Sequence, residues 1–119
     1  MALDLRGMRL PMISLPIKWP TEAIAAWGDR WLVAELSLFG SILRQDFRAD
    51  SDIDCLVAFR PEADWSLLDH LQMQQELIEI LRRDVDLVSK RAIDRSQNWL
   101  RRQEILSTAQ VIYTGPVYA

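Results

Sequence analysis

Residues 52–59 read DIDCLVAF, and that alternation leaves the backbone few options. Side chains of a strand point alternately to opposite faces. Ile53, Cys55, Val57 and Phe59 therefore form one apolar face, while Asp52 and Asp54 share the other. The β-branched and aromatic content suits a strand, and Arg60-Pro61 stops it. Other elements must bury the apolar face, and the opposite face must tolerate two carboxylates about 6–7 Å apart. Position 50 is a further aspartate and position 56 a leucine, so no basic residue of the same strand face neutralises the pair.

The remaining pattern supplies the covering elements. VAELSLF (33–39) reads as a second strand running into Gly40-Ser41, followed by a helical turn around 42–46. Thr21 is a candidate N-cap for a helix that places Ile24, Trp27 and Trp31 on one face. Ser66 and Asp69 have capping-box spacing, and Leu67, Leu71, Ile78 and Leu81 then recur at helical spacing over 66–82. VDLV (85–88) reads as a short strand. Asp94 with Gln97 suggests a cap, Trp99 to Ala109 a last helix, and VIY (111–113) an edge strand. Three of the five prolines fall within residues 1–20, which read as a loosely ordered lead to a single domain over 21–119. Alternating strands and helices predict an α/β (α+β) fold: a small mixed β-sheet with helices packed on it.

With 119 residues the chain has material for one core and no second domain. The formal charge of −3 gives no reason to expect direct nucleic-acid binding. The charge is uneven, however: residues 1–81 carry 7 basic and 13 acidic side chains, whereas 82–119 carry 7 basic and 4 acidic. A basic C-terminal third suits a phosphate ligand or an acidic partner, and equally suits ordinary helix surfaces. The single cysteine, Cys55, excludes an internal disulfide, fits a reducing compartment and reads as a buried structural thiol. No apolar run approaches the ~20 residues of a membrane helix, so no membrane association and a cytoplasmic location are expected.

Two carboxylates on one strand face repel each other unless a cation or proton intervenes. Magnesium takes hard oxygen ligands, often one or two carboxylates together with substrate phosphates. Asp52 and Asp54 offer such a pair, although Asp-x-Asp also occurs at solvated strand ends. Gly40-Ser41, between a strand and a helical turn, offers free backbone N–H groups and a hydroxyl to an anion; a plain strand end with a capping serine is the competing account. Asp86 lies inside VDLV, opposite the core-facing Val85 and Leu87, where an unpaired carboxylate is costly. It can join the Asp52/Asp54 face if the two strands are neighbours. Asp84 has the same parity and is its rival beside Arg82-Arg83.

A Gly-Ser pair, ten residues, Asp-x-Asp opening a hydrophobic strand, and a later aspartate between apolar residues together resemble the nucleotidyltransferases of the DNA polymerase β superfamily. Within it the chain resembles the minimal nucleotidyltransferases, the MNT antitoxin partners of HEPN toxins. Gly40, Ser41, Arg44, Asp52, Asp54 and Asp86 carry the match, and the order of elements from about Trp31 to Tyr113 agrees with it. Where many relatives have glycine after the motif arginine, this chain has Gln45.

The resemblance implies a polymerase β-like fold and a nucleotidyltransferase that moves AMP from ATP to a hydroxyl. Asp52, Asp54 and Asp86 would be the catalytic and metal-binding carboxylates for two Mg2+ ions, with Gly40, Ser41 and Arg44 at the nucleotide. The implied acceptor is a tyrosine of a HEPN ribonuclease toxin, held in a hetero-oligomer. Alternatives are an antitoxin acting by occlusion, for which five tryptophans could provide anchors, and transfer to a small molecule. Arg44 could instead pair with Asp46 or Asp50. His70 and Met73 read as helix packing, Lys90 and Arg91 as solvated charges, and Arg95, Arg101 and Arg102 as surface that could face an acidic partner.

Overall fold

The alternating stretch forms a central strand, Ile53–Phe59 (β2), in a computed structural model that describes residues 15–45 and 47–116. Val33–Phe39 (β1) runs antiparallel to it, and Gln110–Thr114 (β4) pairs antiparallel with β1 on the other side. Val85–Ser89 (β3) lies parallel to β2, giving the sheet order β3-β2-β1-β4. Parallel neighbours need a crossover element, here the helix Leu67–Leu81 (α2). Thr21–Arg30 (α1) precedes β1, while Lys90–Asp94 (α3) and Trp99–Thr108 (α4) separate β3 from β4.

Each face of the sheet has its own core. Ile53, Cys55 and Val57 of β2 pack with Val85 and Leu87 of β3 under α1 and α2. On the other face Phe39 and Leu56 meet Ile93 of α3 and Ile105 of α4. The first core holds both Val33 and Leu36 because a bulge between Val33 and Glu35 reverses the alternation of β1. Three tryptophan N–H groups fasten this layer. Trp27 Nε1 donates to the Met73 carbonyl at 3.2 Å, Trp31 Nε1 to Glu76 Oε1 at 2.9 Å, and Trp65 Nε1 to the Trp31 carbonyl at 2.8 Å.

The mixed sheet agrees with the expected architecture, and several local expectations shift. Thr21 is the first helical residue rather than the cap; Pro20 stands at the cap position and makes no side-chain cap bond. The turn after β1 is a 3₁₀ turn over Gly40–Leu43, earlier than expected. Ser66 and Asp69 do form the reciprocal capping box. The buried stripe of α2, however, is Met73, Leu77 and Leu81, while Leu67 is 75% and Leu71 50% exposed. The rotation has a cause at the sheet edge. His70 Nε2–H donates to the Leu87 carbonyl at 2.7 Å, and the Leu87 N–H donates to Gln74 Oε1 at 2.9 Å. These bonds satisfy the outward-pointing groups of edge strand β3 and turn the first leucines outward.

Asp94 closes α3 instead of capping a helix, because Ser89 Oγ already accepts from the Ala92 N–H at 3.1 Å and starts that turn. Asn98 caps α4, its Oδ1 accepting from the Arg101 N–H at 3.1 Å. Of the expected N-terminal lead, residues 1–14 lie outside the described residues. Leu15, Ile17 and Trp19 pack against the first core without forming helix or strand.

Candidate active site

The loop-to-strand junctions bring the motif residues to one end of the α4 face. Pairing places Phe39 opposite Asp54 on β1 and β2, so Gly40, the next residue, lies at the aspartate. Gly40 adopts φ +76°, a conformation L side chains avoid, and a Cβ there would collide with Asp54 Oδ2. Glycine is thus required both by the turn and by the carboxylate. On the other side, Asp54 is the register partner of Asp86 in the parallel pair β2–β3. Both side chains point away from the first core, into which Cys55 and Leu87 point. Asp52 precedes β2 by one residue and is exposed, as is Asp86, whereas Asp54 is half-buried. Asp84 also lies outside the strand proper; its carbonyl accepts from the Ile53 N–H at 2.9 Å, and it has no register partner among the three.

Negative charge accumulates on this face. Burial, then Asp86, then Asp52 hold the Asp54 carboxyl above the usual aspartate range, opposed by the nearby charges of Arg101 and Arg44. The adjoining Cys55 thiol is fully buried, and burial followed by Asp54 and Asp86 pushes its pKa upward, so it is an inert packing group.

Asp54 opens into a cleft of about 1120 Å³. Phe39, Ile42, Leu43 and Ile105 supply apolar lining, and Gly40, Arg44, Arg101 and Glu104 line it too. Such a cleft, apolar with a few convergent charged groups, is typical of a small-molecule site. Ser41 sits in the 3₁₀ turn, its carbonyl accepting from the Arg44 N–H at 2.9 Å, and like Asp52 and Asp86 it is not among the described lining. Gly40, Arg44 and Asp54 therefore share the cleft, with Asp86 beside Asp54 on the next strand. Asp46, one of the alternative partners weighed for Arg44, lies outside the described residues.

Among the described residues no group of three His, Cys, Asp or Glu side chains is gathered closely enough to hold a metal by itself. The donor chemistry nevertheless fits a hard divalent cation. Three carboxylates share a face, one of them with a pKa raised by burial first and by its like-charged neighbours second. Magnesium needs only one or two carboxylates when phosphate oxygens and water complete its shell.

Arg101 is the member that sequence reasoning did not place. Its signal was the helical spacing to Ile105, which packs on Phe39 and Leu56 and so turns the preceding turn of α4 toward the Asp54 face. Lys90, Arg91 and Arg95 instead line a separate cleft of about 510 Å³. Loop 47–51, which delivers Asp52, is held by Arg83. Its Nη2 donates to the carbonyls of Arg48 and Ser51, and its guanidinium lies 4.5 Å from the Phe47 ring centroid.

A family model described as "Nucleotidyltransferase domain" matches residues 21–112. Protein adenylyltransferase MntA of Thermococcus cleftensis is 38% identical over 65 residues, which are 55% of this chain and 64% of that protein. The curated relatives it matches are each spanned over a little under two thirds of their length. A solved minimal nucleotidyltransferase is 35% identical at a TM-score of 0.58, the match covering 75% of this chain and 85% of that one. The fold also matches a toxin–antitoxin crystal structure with AMP-PNP at a TM-score of 0.63, with 21% identity, over 81% of this chain and 74% of that chain.

Proposed function

Because the chain belongs to the nucleotidyltransferase domain family and its minimal branch, we propose that it transfers AMP from ATP to a hydroxyl of a partner protein. The observation that carries this reading is the parallel pairing of Asp54 with Asp86, with Gly40 pressed against Asp54. It sets a glycine turn beside a carboxylate face, which supports a nucleotide phosphate held next to metal-binding carboxylates.

In this reading Gly40 and Ser41 present backbone N–H groups and a hydroxyl to the triphosphate, and Arg44 adds a bidentate donor at the cleft wall. Asp52 and Asp54 would hold Mg2+, with Asp86 completing the set; two ions there would neutralise charge on the reacting phosphate and the departing oxygen. Asp86, exposed beside Asp54, receives the acceptor. The acceptor oxygen forms a bond to the α-phosphorus, the bond from that phosphorus to the bridging oxygen breaks, and pyrophosphate leaves with the electron pair. The hydroxyl proton passes to an Asp86 carboxylate oxygen.

The acceptor is a tyrosine of a HEPN-type toxin, and modification silences it. Relatives named protein adenylyltransferases support a protein acceptor. In the cell we place the pair in the cytoplasm; no described helix is long and apolar enough to cross a membrane. Incubation with ATP, Mg2+ and such a partner should add one AMP to the partner by intact mass. Tight association with no mass change, under conditions where ATP is bound, would remove transfer from the account.

A second reading, neutralisation by occlusion, draws on Leu68 at 77% and Trp99 at 58% exposure, apolar surface that a partner could cover. The Asp52→Asn/Asp54→Asn double variant separates the two. Full neutralisation by that variant favours occlusion, and loss of neutralisation with retained binding favours transfer.

A further inference from the structure

The basic excess of the C-terminal third is not explained by the motif residues, of which only Asp86, an acid, lies within it. One of its arginines reaches the site. Asn98 fixes the start of α4 by accepting the Arg101 N–H, and Ile105 fixes its rotation by packing into the core with Phe39 and Leu56. Arg101 lies one turn before Ile105 on the same helix face and lines the cleft into which Asp54 opens. Its neighbour Arg102 is already engaged, donating Nη1–H to the Ser96 carbonyl at 3.0 Å. Arg101 makes no side-chain hydrogen bond or ion pair among the described residues and is exposed.

We propose that Arg101 binds the β- and γ-phosphates of the nucleotide from the α4 side of the cleft that Gly40 and Arg44 also line. This rests on the nucleotidyltransferase reading above. A planar guanidinium suits a polyphosphate because it donates two parallel hydrogen bonds to phosphate oxygens. Two arginines, from the turn after β1 and from α4, then grip the part of the substrate that departs as pyrophosphate. In this proposal the α-phosphate goes to the aspartates and the two outer phosphates to the arginines. This division predicts discrimination: Arg101 should favour the triphosphate over the monophosphate and contribute nothing to the nucleoside.

Calorimetric titration of the full chain with ATP, AMP and inorganic pyrophosphate, each with Mg2+, tests this. Arg101→Ala should weaken ATP and pyrophosphate by about 10- to 100-fold and leave AMP within twofold. Arg101→Lys should fall between, because it keeps the charge and loses the fork. Arg95→Ala, in the separate cleft, should leave all three unchanged. Equal weakening of ATP and AMP, or unchanged ATP binding by Arg101→Ala and Arg101→Lys, overturns the assignment while the nucleotidyltransferase reading stands. A wild-type chain that binds neither ATP nor pyrophosphate overturns both.

Discussion

Asp54 Oδ2 stands where the first side-chain atom of any other residue at position 40 would sit. Gly40 is therefore part of how Asp54 is held, beyond its role in the turn. Gly40→Ala should cost roughly 1–2 kcal/mol of stability for the left-handed φ alone. It should also reduce transfer by about 100-fold, as expected when a catalytic group is displaced by about an ångström. Thermal melts and initial rates measured on the same preparation check this; an unchanged rate in a destabilised variant would show that Asp54 finds its place without the glycine.

The charge on Asp54 sets a pH dependence. Its carboxyl is held above the usual range by burial, Asp86 and Asp52, so the folded chain binds that proton more tightly than the unfolded chain. Between the ordinary aspartate value and the raised one, stability without metal falls as pH rises. Asp54→Asn removes this penalty. It should melt above wild type near neutral pH, with the gap closing below about pH 4, while transfer is lost. Mg2+ should raise the wild-type melting temperature at neutral pH and leave the variant's unchanged. A variant less stable than wild type at neutral pH would contradict the charge argument.

Arg83 touches no reacting group in the proposed mechanism, yet it ties Arg48 and Ser51 to the sheet just ahead of Asp52. Arg83→Ala should free the 47–51 loop and raise the Mg2+ concentration needed for half-maximal activity, with a smaller effect on the rate at saturating Mg2+. An unchanged Mg2+ dependence would limit Arg83 to a structural role.

The rotation of α2 can be read by paired truncations. Met73→Ala empties a fully buried position and should cost about 2–5 kcal/mol. Leu67→Ala, on the exposed side, should stay within about 0.5 kcal/mol. Urea unfolding of both variants decides it, and comparable losses would mean the leucine face is the packed one.

Strands were legible from sequence because their signals were local: the apolar richness of VAELSLF matches β1, whose alternation a bulge interrupts, and VDLV falls within β3. The face of α2 was not. Leu67, Leu71, Ile78 and Leu81 satisfy helical spacing about as well as Met73, Leu77 and Leu81, and the choice was made by hydrogen bonds to Leu87 from across the fold. The short helix α3 escaped for a similar reason, since Ser89 could be recognised as its cap only once β3 was known to end there. At the site, the shared face of Asp52 and Asp54 followed from parity, while the pairing of Asp54 with Asp86 needed the strand order. Arg101 depended on the seating of a helix, which no local pattern encodes.

Because β3 is parallel to β2, Asp86 is delivered by a crossover rather than by a hairpin. A growing chain that has completed β2 already displays Asp52 and Asp54, but their companion arrives only after α2 has been made and has docked. In the proposed mechanism, half-synthesised or stalled products that lack β3 should therefore be inert, and α4, which brings Arg101 to the cleft, follows later still.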